Sequence, residues 1–250
     1  MEKYAQESSS DYIYCFIFWT NEASKILFEK NGYSNMIEWK VCELSAYKEF
    51  KINEKYKIER ISKKEILDTV NLINDYYEGR GQFIPFTPES FEYYLNKIPS
   101  FGVENFWVAK DNGKISACAG LWDSSVLQKA GFIRMPLSVK IMKRVFGFLS
   151  IFTKMPRIPT EGEFFSMYYV AGQAFKDSEA MLNLMEYLNN LILNSKMDFY
   201  CMMLDLNDPM LKIVKKFQPQ FNQAYIFAKN INGKCPEFSS CYVDIRDAIL

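Results

Sequence analysis

A tight turn constrains the fold of this chain more than any other short stretch. Phe106-Trp107-Val108-Ala109-Lys110 and Lys114-Ile115-Ser116-Ala117-Cys118-Ala119-Gly120-Leu121-Trp122 are strand-like runs separated by Asp111-Asn112-Gly113. Asn-Gly supplies the positive φ that a tight hairpin turn needs, so the two runs read as paired antiparallel strands.

Around this hairpin the pattern is mixed α/β. Tyr56–Ile61 alternates like a strand, and Lys63–Tyr76 sets Ile66, Leu67, Val70 and Ile73 at helical spacing. Phe83-Ile84-Pro85-Phe86-Thr87-Pro88 breaks the chain before a second helix. There Thr87 serves as N-cap, Pro88 opens the first turn, and Phe91, Tyr94, Leu95 and Ile98 form the buried side. Beyond the hairpin the spacing predicts a strand over Glu163–Val170 and a helix over Asp177–Leu193 with Met181, Leu184, Met185, Leu188, Leu191 and Ile192 inside. A strand over Phe199–Leu206, a helix over Pro209–Phe217 and strands over Ala224–Lys229 and Cys241–Ile245 complete an order β-α-α-β-β-β-α-β-α-β-β.

Composition decides which chemistry is excluded. None of the 250 residues is histidine, which removes Ser-His-Asp and Cys-His relays, HExxH zinc sites and any imidazole acid or base. No metal is expected. Thirty basic side chains balance 30 acidic ones, and without a basic excess no nucleic acid is expected as partner. The six cysteines, Cys15, Cys42, Cys118, Cys201, Cys235 and Cys241, form no CxxC pair and read as reduced core thiols. With no apolar run of bilayer length and no signal-peptide pattern at Met1-Glu2-Lys3, the expected location is cytoplasmic.

An internal repeat lies at the N-terminus. Setting Asn21 over Asn207 aligns Tyr14 with Tyr200, Cys15 with Cys201, Leu27 with Ile213 and Lys30 with Lys216. Each copy reads as strand, Asn-initiated helix and strand, so residues 11–47 look like a second copy of the terminal βαβ unit.

The order of elements over residues 56–247 resembles the GNAT acyltransferase superfamily. The most specific match is Asn21-Glu22-Ala23-Ser24-Lys25-Ile26-Leu27-Phe28-Glu29-Lys30-Asn31-Gly32-Tyr33, similar to the family's Asn-x-x-Ala-x-x-Leu-Tyr-x-Lys-x-Gly-Phe signature. Ser24 departs from the small alanine, and Phe28 from the tyrosine that often protonates the leaving thiolate; Val214 holds that tyrosine's position in the second copy. The resemblance implies an α/β (α+β) fold: a mixed, mostly antiparallel sheet flanked by helices, with a partial βαβ copy in front. It divides the chain into a partial segment at 1–50 and a GNAT-like N-acetyltransferase domain at 51–250. A half domain exposes strand edges, so residues 1–50 must pack on the rest of the chain or, in a homodimer, on another subunit.

The implied activity is transfer of an acetyl group from acetyl-CoA, as co-substrate, to a small-molecule or peptide amine. The alternative is a catalytically silent binding or regulatory module of the same fold. In such a fold the cofactor lies where the strand ending at Val170 splays from the strand starting at Phe199, with pyrophosphate on the N-terminus of the intervening helix. That places Tyr169 and Val170 along the pantetheine, and Gln173, Lys176, Ser178, Ala180 and Asn207 near the cofactor. The family's glycine-rich loop is missing here, and Asp177 and Glu179 would repel a pyrophosphate while capping the helix by themselves. Asn207 before Asp208-Pro209 also reads as an ordinary cap. Glu163 is the expected general base, with Glu161 and Asp123 behind it. Tyr168 and Tyr169 flank the expected thioester, but adjacent strand residues face opposite sides and only one can point into a site; Tyr168 is taken as the catalytic one.

Residues 124–160 carry Lys129, Arg134, Lys140, Lys143, Arg144, Lys154 and Arg157 and no acidic residue. Within this stretch Ser138–Lys154 reads as a helix with Val139, Met142, Val145, Phe146, Leu149 and Phe152 on one face. As a basic helical insertion it can cap an acceptor site, attract an acidic substrate or lie on an anionic membrane; burial against its own domain is the simplest expectation.

Overall fold

The computed structural model describes residues 2–127, 129–152, 157–195, 197–235 and 237–244. Lys154 and Ile245, the last residues of an expected helix and an expected strand, lie outside them.

The hairpin forms as its sequence dictates. Strands β4 (Phe106–Asp111) and β5 (Lys114–Asp123) follow the short α1 (Glu2–Glu7), β1 (Tyr12–Phe18), α2 (Glu22–Lys30), β2 (Ser34–Leu44), β3 (Lys57–Arg60), α3 (Ile66–Tyr77) and α4 (Pro88–Lys97). The connecting Asn112 and Gly113 both hold positive φ, 49° and 80°, the conformation for which Asn-Gly is suited. After β5 come α5 (Leu137–Leu149), β6 (Met167–Phe175), α6 (Ser178–Leu193), β7 (Phe199–Asp205), α7 (Met210–Val214) and β8 (Gln220–Asn230).

All eight strands join one mixed, mostly antiparallel sheet in the order β1-β8-β2-β7-β6-β5-β4-β3. Among the described residues the parallel strand pair is β6 with β7. The N-terminal strands lie in this sheet: β2 inserts between β7 and β8, and β8 between β1 and β2. The two strand-helix-strand segments, β1-α2-β2 and β7-α7-β8, therefore interlock, each burying the other's strand edges within one chain.

Two apolar layers sandwich the sheet. On one face α3 and α4 press Val70, Ile73, Phe91 and Leu95 against Phe106, Trp122 and Trp39. On the other, α6 and α7 press Leu184, Leu188 and Val214 against Trp107, Tyr200 and Leu204. Asn183 and Asn190 of α6 each exchange a pair of hydrogen bonds, 2.6 to 3.1 Å long, with the backbone of Asn53 and Phe50. These amides tie the link between β2 and β3 to the outside of α6. The thiols of Cys42, Cys118 and Cys201 are buried in these layers, which pushes the Cys42 pKa up to about 12.

Two expected elements moved. The strand expected over Glu163–Val170 is β6 and begins at Met167, because Phe164 and Phe165 belong to the loop that returns from the insertion. The strand expected from Cys241 is an isolated bridge between Cys241 and Gly81.

Candidate active-site cleft

β6 and β7 run together only briefly. They pair from Met167 with Phe199 to Tyr169 with Cys201, and then continue to Phe175 and Asp205 paired with β5 and β2 but not with each other. Parallel strands that part leave a slot whose walls carry unpaired backbone groups. A bulge deepens the slot on the β6 side: Cys118 faces Ala174 and Gly120 faces Ala171, so Gly172 and Gln173 together oppose Ala119. Gly172 sits at φ 61°, and a Cβ there would crowd the Phe106 ring at 3.1 Å. A glycine is needed at this point.

The chain's own C-terminal segment fills the slot. Tyr242, Val243 and Asp244 line, together with Val170–Gln173 and Met203, a space of only about 10 Å³. The segment is tied down from several sides. The Gly81 N–H donates to the Ser240 carbonyl at 2.9 Å, and the Tyr242 N–H to the Gly81 carbonyl at 2.8 Å. The Asn207 side-chain amide donates to the Ser239 carbonyl at 2.9 Å, and the Cys241 N–H to Asp205 Oδ2 at 3.1 Å. The Tyr242 ring packs on Tyr77 at 4.7 Å and Phe83 at 5.2 Å. Buried Asp244 accepts from the hydroxyls of Tyr94 at 3.0 Å and Tyr242 at 2.9 Å. Tyr77 closes the inner wall by donating to the Gln173 carbonyl at 2.8 Å. Burial raises the pKa of Asp205, although the N–H donors of Asn207 and Cys241 pull it down.

At the mouth of the slot a polar knot joins its two sides. Buried Asp208 accepts from Arg80 and Tyr76, at the end of α3, and from the Met210 N–H at 2.8 Å. Outside the knot opens a cavity of about 730 Å³. Lys114, Phe175, Lys176, Tyr76, Arg80 and Pro209 line it, with Asp68 and Asp75 on its α3 side. Its size suits a small molecule, and Lys114, Lys176 and Arg80 bring three cations to it.

The residues singled out from sequence fall into three groups. Tyr169, Val170 and Gln173 line or flank the slot and Lys176 lines the outer cavity. Tyr169 and Tyr168 face opposite sides of the sheet, Tyr169 toward Trp122 at 5.9 Å and Tyr168 toward the α6 layer; burial raises the pKa of both.

Ser178 and Ala180 open α6, but this helix start is already served. Asp177 is its N-cap, accepting from the Glu179 N–H at 2.9 Å, and it also accepts from the Tyr56 hydroxyl at 2.8 Å. Burial opposes its ionisation, yet these donors hold its carboxyl below the usual range. Asn207 does not cap α7; Asp208 takes that role, which frees the Asn207 amide to hold Ser239.

Glu163 stands apart. It precedes β6 at the end where β6 and β7 are still paired, is exposed, accepts from the Thr160 N–H at 2.7 Å and lies 3.6 Å from Arg157. Hydrogen bonds at Thr160 lower its pKa, which weakens it as a base. Glu161 accepts from the Met135 N–H and pairs with Lys140, and Asp123 caps Ser125. The sequence reading missed Tyr77, Tyr94, Asp208, Tyr242 and Asp244. Nothing local marks them, because each acquires its place through contacts more than 90 positions away along the chain. Among the described residues no group of three or more Cys, Asp or Glu side chains is arranged to hold a metal ion.

No family model matches this sequence, and no curated protein does. Solved structures do resemble it. A GCN5-related N-acetyltransferase from Sphaerobacter thermophilus superposes with TM-score 0.59 at 9% identity, over 91% of this chain and 62% of that one. A GCN5-related N-acetyltransferase from Kribbella flavida gives 0.53 at 9% identity, over 91% and 72%. Saccharomyces cerevisiae N-myristoyltransferase with bound myristoyl-CoA gives 0.50 at 12% identity, over 83% and 52%. The chain thus spans less than two thirds of the first and last of these. At such identities the likeness is one of fold: this chain has the GCN5-related N-acetyltransferase fold.

Proposed function

We propose that the protein transfers an acyl group from an acyl-CoA thioester to an amine, with acetyl-CoA as donor. The observation that carries this is the opening of β6 from β7 beyond Tyr169 and Cys201, beside the Gly172–Gln173 bulge. Unpaired backbone groups along such a slot suit the amides of a pantetheine arm and the thioester carbonyl, where preorganised N–H donors stabilise developing negative charge. The outer cavity suits the nucleotide end, with Lys114 and Lys176 as phosphate partners. The helix start at Ser178 and Ala180 suits a phosphate less well, since Asp177 already occupies it. The slot admits the acyl arm once residues 239–244 leave it.

The seated C-terminal segment also favours a second reading, a catalytically silent module of the same fold. Calorimetry with acetyl-CoA on the full chain and on Tyr242→Ala separates the two. The acyltransferase reading expects binding heat that grows in the variant. No heat from either protein at millimolar acetyl-CoA would leave the silent module standing.

A further inference from the structure

The insertion between β5 and β6 presents an apolar surface that its own domain leaves uncovered. Helix α5 buries no residue. At 3.6 residues per turn, Leu137, Ile141, Val145 and Phe148 fall within an arc of about 80°. All four are exposed, Leu137 by 73% and Phe148 by 64%. Exposed apolar side chains continue on either side of the helix, with Ile133 at 94% before it and Phe152 at 75% after it. Only Val139, Lys143 and Phe146 of α5 are half-buried, so the stripe points away from the protein.

Cations border this stripe. Lys140 and Arg144 lie on one flank of the arc, with Lys143 further round, and all three line a cavity of about 520 Å³ with Met135, Thr160 and Glu161. Lys140 pairs with Glu161 at 2.9 Å. Arg134, Lys143 and Arg144 have no carboxylate within ion-pair distance among the described residues. An outward apolar arc with aromatic side chains and a cationic flank is the pattern of a helix that lies in the plane of a bilayer interface. A second copy of this chain fits less well, because twofold packing of α5 on itself would bring its cations together without acidic partners.

We infer that α5 and its flanks dock the protein on an anionic lipid surface, apolar arc in the headgroup–acyl boundary and Lys140 and Arg144 toward the headgroups. Each cation near such a surface strengthens binding about fivefold, and the attraction weakens as salt shortens its range. No helix among the described residues is long and apolar enough to cross a membrane, so the contact is peripheral.

The test is sedimentation of the full chain with vesicles of phosphatidylcholine containing phosphatidylserine, and with phosphatidylcholine alone. Sedimentation with the anionic vesicles only, lost in Ile141→Ser/Phe148→Ser and reduced by roughly an order of magnitude or more in Lys140→Glu/Arg144→Glu, is the expected result. All these side chains lie at the surface, and unchanged thermal unfolding confirms that the variants fold. Three outcomes overturn the inference: no sedimentation with anionic vesicles, equal sedimentation of the charge-reversed variant, or a dimer in sedimentation equilibrium that Phe148→Ser dissociates while no vesicle binding is seen.

Discussion

Helices α5 and α6 are both amphipathic, yet α6 buries eight of its 16 residues and α5 none of its 13. The difference follows from what each helix connects. α6 is the crossover between parallel β6 and β7, and a parallel connection must pass over a face of the sheet. α5 lies in the connection between antiparallel β5 and β6, which needs no crossover, so no topological demand presses it onto the sheet. Periodicity shows that a helix has an apolar stripe; topology decides what covers it.

The largest expected effect lies in α6. Leu184→Ala removes a fully buried side chain and should lower stability by about 3 kcal/mol in urea denaturation. A loss below about 1 kcal/mol would place its stripe on a par with that of α5. Asn183→Ala should cost about 1–3 kcal/mol, because it strips the paired backbone groups of Asn53 of their partner on α6.

Ion pairs sharpen the contrast. Burial opposes ionisation of Glu65, but hydrogen bonds from Lys110 and Ser62 outweigh it and hold the Glu65 pKa at about 2, below the ordinary 4.5. A depressed carboxylate stabilises the fold at pH above its unfolded value and loses that contribution as pH falls through its folded one. Glu65→Gln should therefore lower stability by about 1–2 kcal/mol at neutral pH, after allowance for solvent screening, with the deficit fading between pH 4.5 and about 2. Glu161→Gln, whose carboxylate is also held below its ordinary pKa by Lys140 and the Met135 N–H but at an exposed site, should show a smaller pH-dependent deficit in the same melts. The smallest effect belongs to Phe148→Ala in α5, within about 0.5 kcal/mol of the parent.

Local chemistry explains what the sequence made legible. The Asn112-Gly113 turn, the Thr87 cap with Pro88, and the Asp177 cap before the apolar stripe of α6 each lie within a few residues of the element they define. The strand-helix-strand form of residues 12–44 was legible for the same reason, with Asn21 capping α2. The start of β6 was misread because Phe164 and Phe165 imitate an alternating strand while sitting in a loop. The interlocking of β2 with β7 and β8, and the seating of Tyr242 and Asp244 in the slot, depend on partners far away in sequence. Cys241–Ile245 has the composition of a strand, but Cys241 and Asp244 are held in place by Gly81, Asp205 and Tyr94 instead of a ladder.

The slot between β6 and β7 can be interrogated by amide hydrogen exchange with and without acetyl-CoA. The Cys241 and Tyr242 amides, hydrogen-bonded to Asp205 and Gly81, should exchange slowly in the free protein. Saturating acetyl-CoA should speed exchange across residues 239–244 and slow it at Ala171, Gly172 and Gln173. Binding that leaves both segments unchanged, or protects both together, would contradict a slot in which the acyl arm replaces the C-terminal segment.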